Sequence, residues 1–257
     1  MTMARRVRSE FFAAWHSFLR RRVAVFFTFF FPVLLVGIFG ALVQTNPAGG
    51  GLFAEDPAYY VPGYLAVVVL QTPLSRMGSE VARHREGHRF EKLATTPLSR
   101  AEWLMAHTLV NTVIIAIAGF VLLALTVVLT GADVVFSPLL LLFVPVGVVC
   151  FCGVGSLLGA FADSQDGAIT AANAIGLPLL FLSETFVPPS MLPEWFHPIV
   201  ALSPLTYFAQ GLRQAIWPGA ESGTVVLGLG AVESLAVLSV LALGFFAFGT
   251  RAIPRTD

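Results

Sequence analysis

Charge is scarce in this sequence: 15 Lys+Arg and 15 Asp+Glu stand among 257 residues, 56% of them apolar, with a mean hydropathy of +0.82. Several apolar runs reach the ~20 residues that cross ~30 Å of hydrocarbon as a helix, so the chain reads as an all-α integral membrane protein. A net charge of zero leaves no overall basic field to attract nucleic acid, and none is expected as a partner. Cysteine is nearly missing too. Cys150 and Cys152 stand two apart in an apolar run, where helical geometry aims them away from each other; this argues against a disulfide and leaves two small buried hydrophobes. Neither a G-x-x-x-x-G-K-[ST] phosphate loop nor a G-x-S-x-G nucleophile turn occurs. The chain therefore has no recognisable means of hydrolysing a nucleotide or an ester, and no cofactor is expected on it. Internal repeats and low-complexity segments are also lacking.

One long passage holds a third of the charge. Residues 76–102 hold Arg76, Arg83, Arg85, Arg89, Lys92 and Arg100 with Glu80, Glu86, Glu91 and Glu102, and so polar a stretch reads as a water-facing loop. Around it the apolar runs predict six transmembrane helices, at 23–43, 58–75, 103–130, 138–161, 168–186 and 224–249. Residues 1–22 read as an N-terminal interfacial helix, with Phe11, Trp15, Phe18 and Leu19 on one stripe. The run from Val23 exceeds the roughly 7–15 residues of a signal core and no A-x-A site follows, so it is expected to stay as the first span.

Local signals refine this layout. Pro62-Gly63 and Pro73 interrupt the second span; in lipid such breaks need neighbouring helices to satisfy the freed backbone groups, which puts this helix inside a bundle. Ser99-Arg100-Ala101-Glu102 fits a capping box, starting the third helix near Arg100 after Pro97 has stopped the one before. Gly155-x-x-x-Gly159 gives the fourth span a face that another helix can approach closely. Pro188, Pro189, Pro193, Pro198, Pro204 and Pro218 cut 187–218 into short external helices. Ser203-Pro204 opens one whose Leu205, Phe208, Leu212 and Ile216 form a stripe suited to lying on the membrane surface.

Six spans put both termini, the 76–102 loop and the 162–167 turn on one side, with fourteen of the fifteen Lys/Arg; only Arg213 falls opposite. The positive-inside rule makes that side cytoplasmic, so a multi-pass protein of the plasma membrane with both ends inside is expected.

Few residues within the spans carry chemistry. His107 and Asn111, four apart, either tie helices together or line a pathway. Glu184 and Glu233 read as intramembrane acids, each needing a partner or a proton; Arg213 could pair with Glu184 or Glu194. His84 and His88 share a helical spacing but lack the Glu of H-E-x-x-H and sit among arginines, so no metal site is expected there. Glu184, Glu233 and His107 are the only support for an ATPase-independent secondary transporter or channel. A membrane-bound enzyme has no constellation behind it.

Two stretches resemble a known family. Arg85-Glu86-Gly87 followed by Glu91-Lys92-Leu93-Ala94-Thr95-Thr96-Pro97-Leu98-Ser99 is similar to the signature after the second span in membrane (permease) subunits of type-2 ABC exporters. Phe186-Val187-Pro188, Leu192-Pro193-Glu194-Trp195 and Ser203-Pro204-Leu205-Thr206-Tyr207 through Leu212-Arg213 resemble that family's external segment before the last span. The resemblance implies a coupling helix that docks in a groove of a separate ATPase subunit, which maps onto Glu86, Gly87, Glu91, Leu93, Thr96 and Pro97. Charge complementarity adds Arg83, Arg85 and Arg89. It further implies two ATPase subunits that hold ATP and Mg, a second permease copy, identical or similar, and export by alternating access. Cargo is not implied, since members of the family move many kinds of compound.

Overall fold

The computed structural model describes residues 2–38, 56–183, 185, 193–217 and 227–254, and every regular element among them is helical. In chain order these are α1 (Met3–Leu19), α2 (Arg22–Val36), α3 (Pro57–Glu86), α4 (Arg89–Ala94), α5 (Arg100–Thr130), α6 (Leu140–Phe161) and α7 (Gln165–Leu182). A single 3-10 turn (Glu194–Phe196) then leads into α8 (His197–Ala201), α9 (Pro204–Ile216) and α10 (Ala231–Ala252). Among the described residues three helices, α5, α6 and α10, are long and apolar enough to cross a membrane, and α2 is a shorter apolar one.

The amphipathic start is a separate helix, as its apolar stripe predicts. Phe18 of α1 is buried against Val110 and Ile114 of α5, with Phe11 and Trp15 packed beside it. The chain turns at Arg20-Arg21 and continues as α2, which presents Phe26 and Phe30 outward. Of the predicted span 23–43, the part from residue 39 lies outside the described residues, as do Glu184 and 187–192 of the external segment.

α3 runs on past the expected second span. Asp56 caps it by accepting the Ala58 N–H at 2.8 Å, with Pro57 in the first turn, where its missing N–H costs nothing. The helix then runs 30 residues, through Pro62 and Pro73 and past Ser75 to Glu86. That is ~45 Å of helix, about 15 Å more than the hydrocarbon core. The first part of the 76–102 "loop" is therefore the same helix emerging from the bundle. Residues 58–70 are buried on every side, with α5, α6, α7 and α9 around them. Tyr, Gly and Pro are tolerated there because protein, not lipid, surrounds the helix.

Glycine seams hold the centre together. A Cβ on Gly155 would stand 2.5 Å from the Leu74 carbonyl oxygen of α3, and one on Gly159 would meet that of Gly78. On the other side of α6, a Cβ on Gly153 would stand 2.5 Å from the Phe245 backbone of α10. Close backbone approach and dispersion contacts, the main adhesive between helices in lipid, fix α3, α6 and α10 as one slab.

Two further expectations are corrected. α9 does not lie on a surface: Leu205, Thr206, Phe208, Ala209, Gln210, Gly211, Leu212, Arg213 and Ile216 are all buried, and it packs against α3, α6 and α10. Its polar face is covered as fully as its apolar one. α10 starts at Ala231, later than the predicted 224, after Gly228 has taken φ +60. Glu233 is thus in its first turn and accepts the Gly230 N–H at 3.0 Å. It caps a helix end and is not an acid held in mid-span.

Candidate functional site

Two places combine polar side chains with a defined shape: the knob where α3 leaves the bundle, and a cleft between α2 and α3.

The knob is built by helix punctuation. α3 ends at Gly87, and His88 takes a left-handed conformation (φ 48) that reverses the chain into α4. The hydroxyls of Thr95 and Thr96 each donate to a last-turn carbonyl of α4, Lys92 O and Leu93 O, at 2.7 Å. Ser99 then opens α5: its Oγ accepts the Glu102 N–H at 3.2 Å, and Glu102 Oε2 accepts the Ser99 N–H at 2.7 Å, the reciprocal box expected from sequence. Inside, Phe90 is buried edge-on to Trp103 at 5.2 Å and against His84 at 5.3 Å, with Leu93 and Leu98 packed on the core. α4 is therefore pinned by its apolar face, and Arg89, Glu91 and Lys92 face water.

The predicted coupling residues separate into two groups. Glu86, Gly87, Arg89, Glu91, Thr96 and Pro97 are exposed on one polar surface, with Leu93 half-buried beneath it. Arg83 and Arg85 are turned inward. Arg83 is engaged by Glu80 one turn away. Arg85 Nη1 donates to the carbonyls of Ala160 at 2.6 Å and Ala162 at 2.8 Å, covering the negative end of α6. Glu86 Oε1 in turn accepts the Gln165 N–H at 2.7 Å, at the start of α7. Arg100, not singled out from the sequence, treats α10 likewise, donating to Arg251 O at 3.1 Å and to Ile253 O. The knob is thus bolted to the ends of three helices that come from elsewhere in the chain.

Three histidines of α3 to α5 and the single acid of α1, Glu10, form a second set. His84 is buried, with its Nδ1 2.8 Å from the Glu80 carbonyl, and burial pushes its imidazole below its usual pKa. His88 is exposed beside Glu91 at 3.0 Å, so the pair does not converge; no cluster of metal-ligating residues exists among the described residues. His107 is buried against Trp103, with Nε2 3.3 Å from Glu10 of α1. Asn111 Nδ2 donates to the His107 carbonyl at 2.9 Å. Arg6 Nε donates to both oxygens of Glu102, at 3.1 and 3.2 Å, so Glu102 caps α5 and holds α1 at once. Sequence gave no sign of Arg6 as a partner, because the two residues stand 96 apart.

The cleft has a volume of about 570 Å³ and runs between α2 and α3, with α1, α5 and α7 contributing. Arg21, Arg76, Glu80 and His107 line one end, Gln71, Thr72 and Asn173 its middle, and Phe27, Phe31 and Val68 the apolar remainder. At the far end of the bundle Arg213 is fully buried, its guanidinium 3.9 Å above the Tyr59 ring and its Nε donating to Tyr59 O at 3.3 Å. It joins α9 to α3. Glu184 and the Glu194 side chain, its two predicted partners, lie outside the described residues.

Comparison with known proteins adds a second line. The ABC-2 type transporter family matches residues 7–217. The chain is similar to the inner membrane transport permease YhhJ of Escherichia coli (strain K12), 26% identical over 169 residues, 64% of this chain and 45% of that protein. It is also similar to the putative transport permease ycf38 of Porphyra purpurea, 26% identical over 195 residues, 71% of this chain and 64% of that protein. The chain thus spans about half the length of YhhJ and somewhat less than two thirds of ycf38.

Proposed function

Because this chain belongs to the ABC-2 type transporter family, a family of membrane transport components, we propose that it is the permease subunit of an ATP-driven exporter. In this role α2, α3, α5, α6, α7 and α10 are the six spans, α1 lies in the interface, and both termini and the knob are cytoplasmic in the plasma membrane. A second copy, identical or similar, completes the pathway. Two ATPase subunits hold ATP and Mg and grip the knobs.

One observation carries this reading: Glu86, Gly87, Arg89, Glu91, Thr96 and Pro97 are exposed where α3 turns into α4, and the end of α3 is tied there to α6 by Arg85 and to α7 by Glu86. A handle must be both accessible and rigidly attached, since a force applied to a loose loop is spent on the loop. Chemistry in this permease reduces to transmission. ATP binding draws the ATPase subunits together, the knob follows, and α3 with α6 and α7 moves as the knob moves. Of the three residues behind an ATPase-independent transporter or channel, Glu233 is engaged in helix capping and His107 with Glu10, and Glu184 lies outside the described residues.

The test is co-expression with the ATPase. Replacing Glu91 or Leu93 by Ala removes surface contacts, so co-purification of the ATPase falls and permease-dependent ATP hydrolysis with it. Arg85→Ala leaves the outer surface intact and loses the α6 attachment, so the ATPase still co-purifies while its stimulation by the permease drops at least tenfold. Unchanged stimulation in all three variants removes the docking assignment.

A further inference from the structure

We propose that the cleft between α2 and α3 binds an anionic amphiphile, its phosphate or carboxylate head on Arg76 and Arg21 and its apolar tail along Phe27, Phe31 and Val68. This deepens the transport reading by naming a ligand class. It rests on that reading only for the ligand being cargo, since binding itself needs no ATPase.

Charge at the head end comes first. Arg21, Arg76 and Arg83 surround a single carboxylate, Glu80, which contacts Arg83 and lies 4.0 Å from Arg21. Three guanidinium groups against one carboxylate leave this end positive, and the nearby Glu10 is taken up by His107. Arg76 has the most to gain. Its guanidinium lies 4.3 Å from the Phe18 ring centroid, and it has no hydrogen bond or ion pair among the described residues. A guanidinium is a planar fork of donors suited to two oxygens of one phosphate or carboxylate, and a ring face satisfies none of them.

Depth and shape come next. Arg76 follows Pro57 by nineteen residues of continuous helix, ~28 Å along the axis, so it sits where hydrocarbon gives way to headgroups. From there the lining passes through Ser75, Thr72 and Gln71 to Val68, Phe27 and Phe31. That order, cation then hydroxyls and amide then hydrocarbon, mirrors the polarity of an amphiphile lying with its head toward α1. A bare anion leaves the apolar half unfilled, and a cationic amphiphile meets like charge. The volume of about 570 Å³ falls within the roughly 300–1,000 Å³ of ordinary ligand pockets.

The experiment uses the full chain in phosphatidylcholine nanodiscs, with radiolabelled dodecyl phosphate as probe and dodecyltrimethylammonium as the cationic control. Saturable binding of dodecyl phosphate is expected, with at least tenfold weaker binding of the cation. Arg76→Gln should weaken dodecyl phosphate at least tenfold, Arg76→Lys less, and Thr72→Trp should block binding by filling the cleft with both arginines intact. Gel filtration and the ligand-free thermal midpoint identify any variant that does not fold, and the other variants then decide. Anionic phospholipid that co-purifies with the chain and is lost in Arg76→Gln supports the site with a leaflet lipid as its occupant. Its absence, together with probe binding, supports the site with a free amphiphile. Binding that is unsaturable, equal for the cation, or unchanged in the folded variants overturns the proposal. Probe binding without any co-purifying ATPase sinks the transport reading alone, and ATPase co-purification without probe binding sinks only this one.

Discussion

At the scale of single residues, the polar groups at the membrane border do structural tasks that their spacing does not announce. Glu10 is the clearest case. A hydrogen bond with His107 holds its carboxyl below the usual carboxylate range despite the opposing effect of burial. A carboxylate with a lowered folded-state pKa stabilises the fold above its ordinary value, and that contribution is lost as the pH falls through the lowered one. The difference in thermal midpoint between the native chain and Glu10→Gln should therefore shrink as the pH falls below about 4.3. A difference that grows on acidification counts against the pairing. The sequence made His107 and Asn111 legible as polar residues needing partners. It could not reveal Glu10 or Arg6, because contacts across 97 and 96 positions leave no periodic trace. Ser99 and Glu102 were legible as a box because capping is local chemistry at fixed spacing.

At the scale of elements, hydropathy located the helices and misjudged their ends and neighbours. α3 continues beyond Ser75 because water permits a helix as readily as lipid does; hydropathy changes where the membrane ends, and the helix ends only where Gly87 and His88 turn the chain. α10 starts at Ala231 although the apolar run begins earlier, since Gly228 and Gly230 deny it an earlier start. The stripe on α9 is legible in the sequence, but a stripe cannot tell whether a neighbour also covers the opposite face, as α3, α6 and α10 do here. The small-residue face of α6 was legible, though its partner was not. Gly159→Leu sets a side chain against Gly78 of α3, an overpacking expected to cost about 1–3 kcal/mol. Gly244→Ala, with no atom within 4 Å of the added carbon, should be neutral or slightly stabilising. Thermal unfolding of the two variants checks the seam, and equal midpoints exclude it.

At the scale of the whole molecule, the proposed orientation rests on the placement of the arginines and on a count of six spans. Cys150 and Cys152 are fully buried, so the native chain offers a low background for thiol labelling. Single cysteines at Thr96 and at Val135, both positions on exposed surface or its edge, should react from opposite sides of intact cells. Thr96→Cys should react with an impermeant maleimide only after the membrane is opened, and Val135→Cys before. The reverse pattern overturns the orientation, and labelling of both from outside overturns the span count.

The three glycine-seamed helices have a mechanical corollary. Where backbones touch with no side chain between them there is nothing to compress, so a push on the knob arrives at the far end of α6 almost undiminished. The arm made of α1 and α2 has no such seam: it leans on α5 through side chains and touches α3 far less. The molecule is built like a stiff mast with a boom beside it, and the cleft lies in the angle between the two.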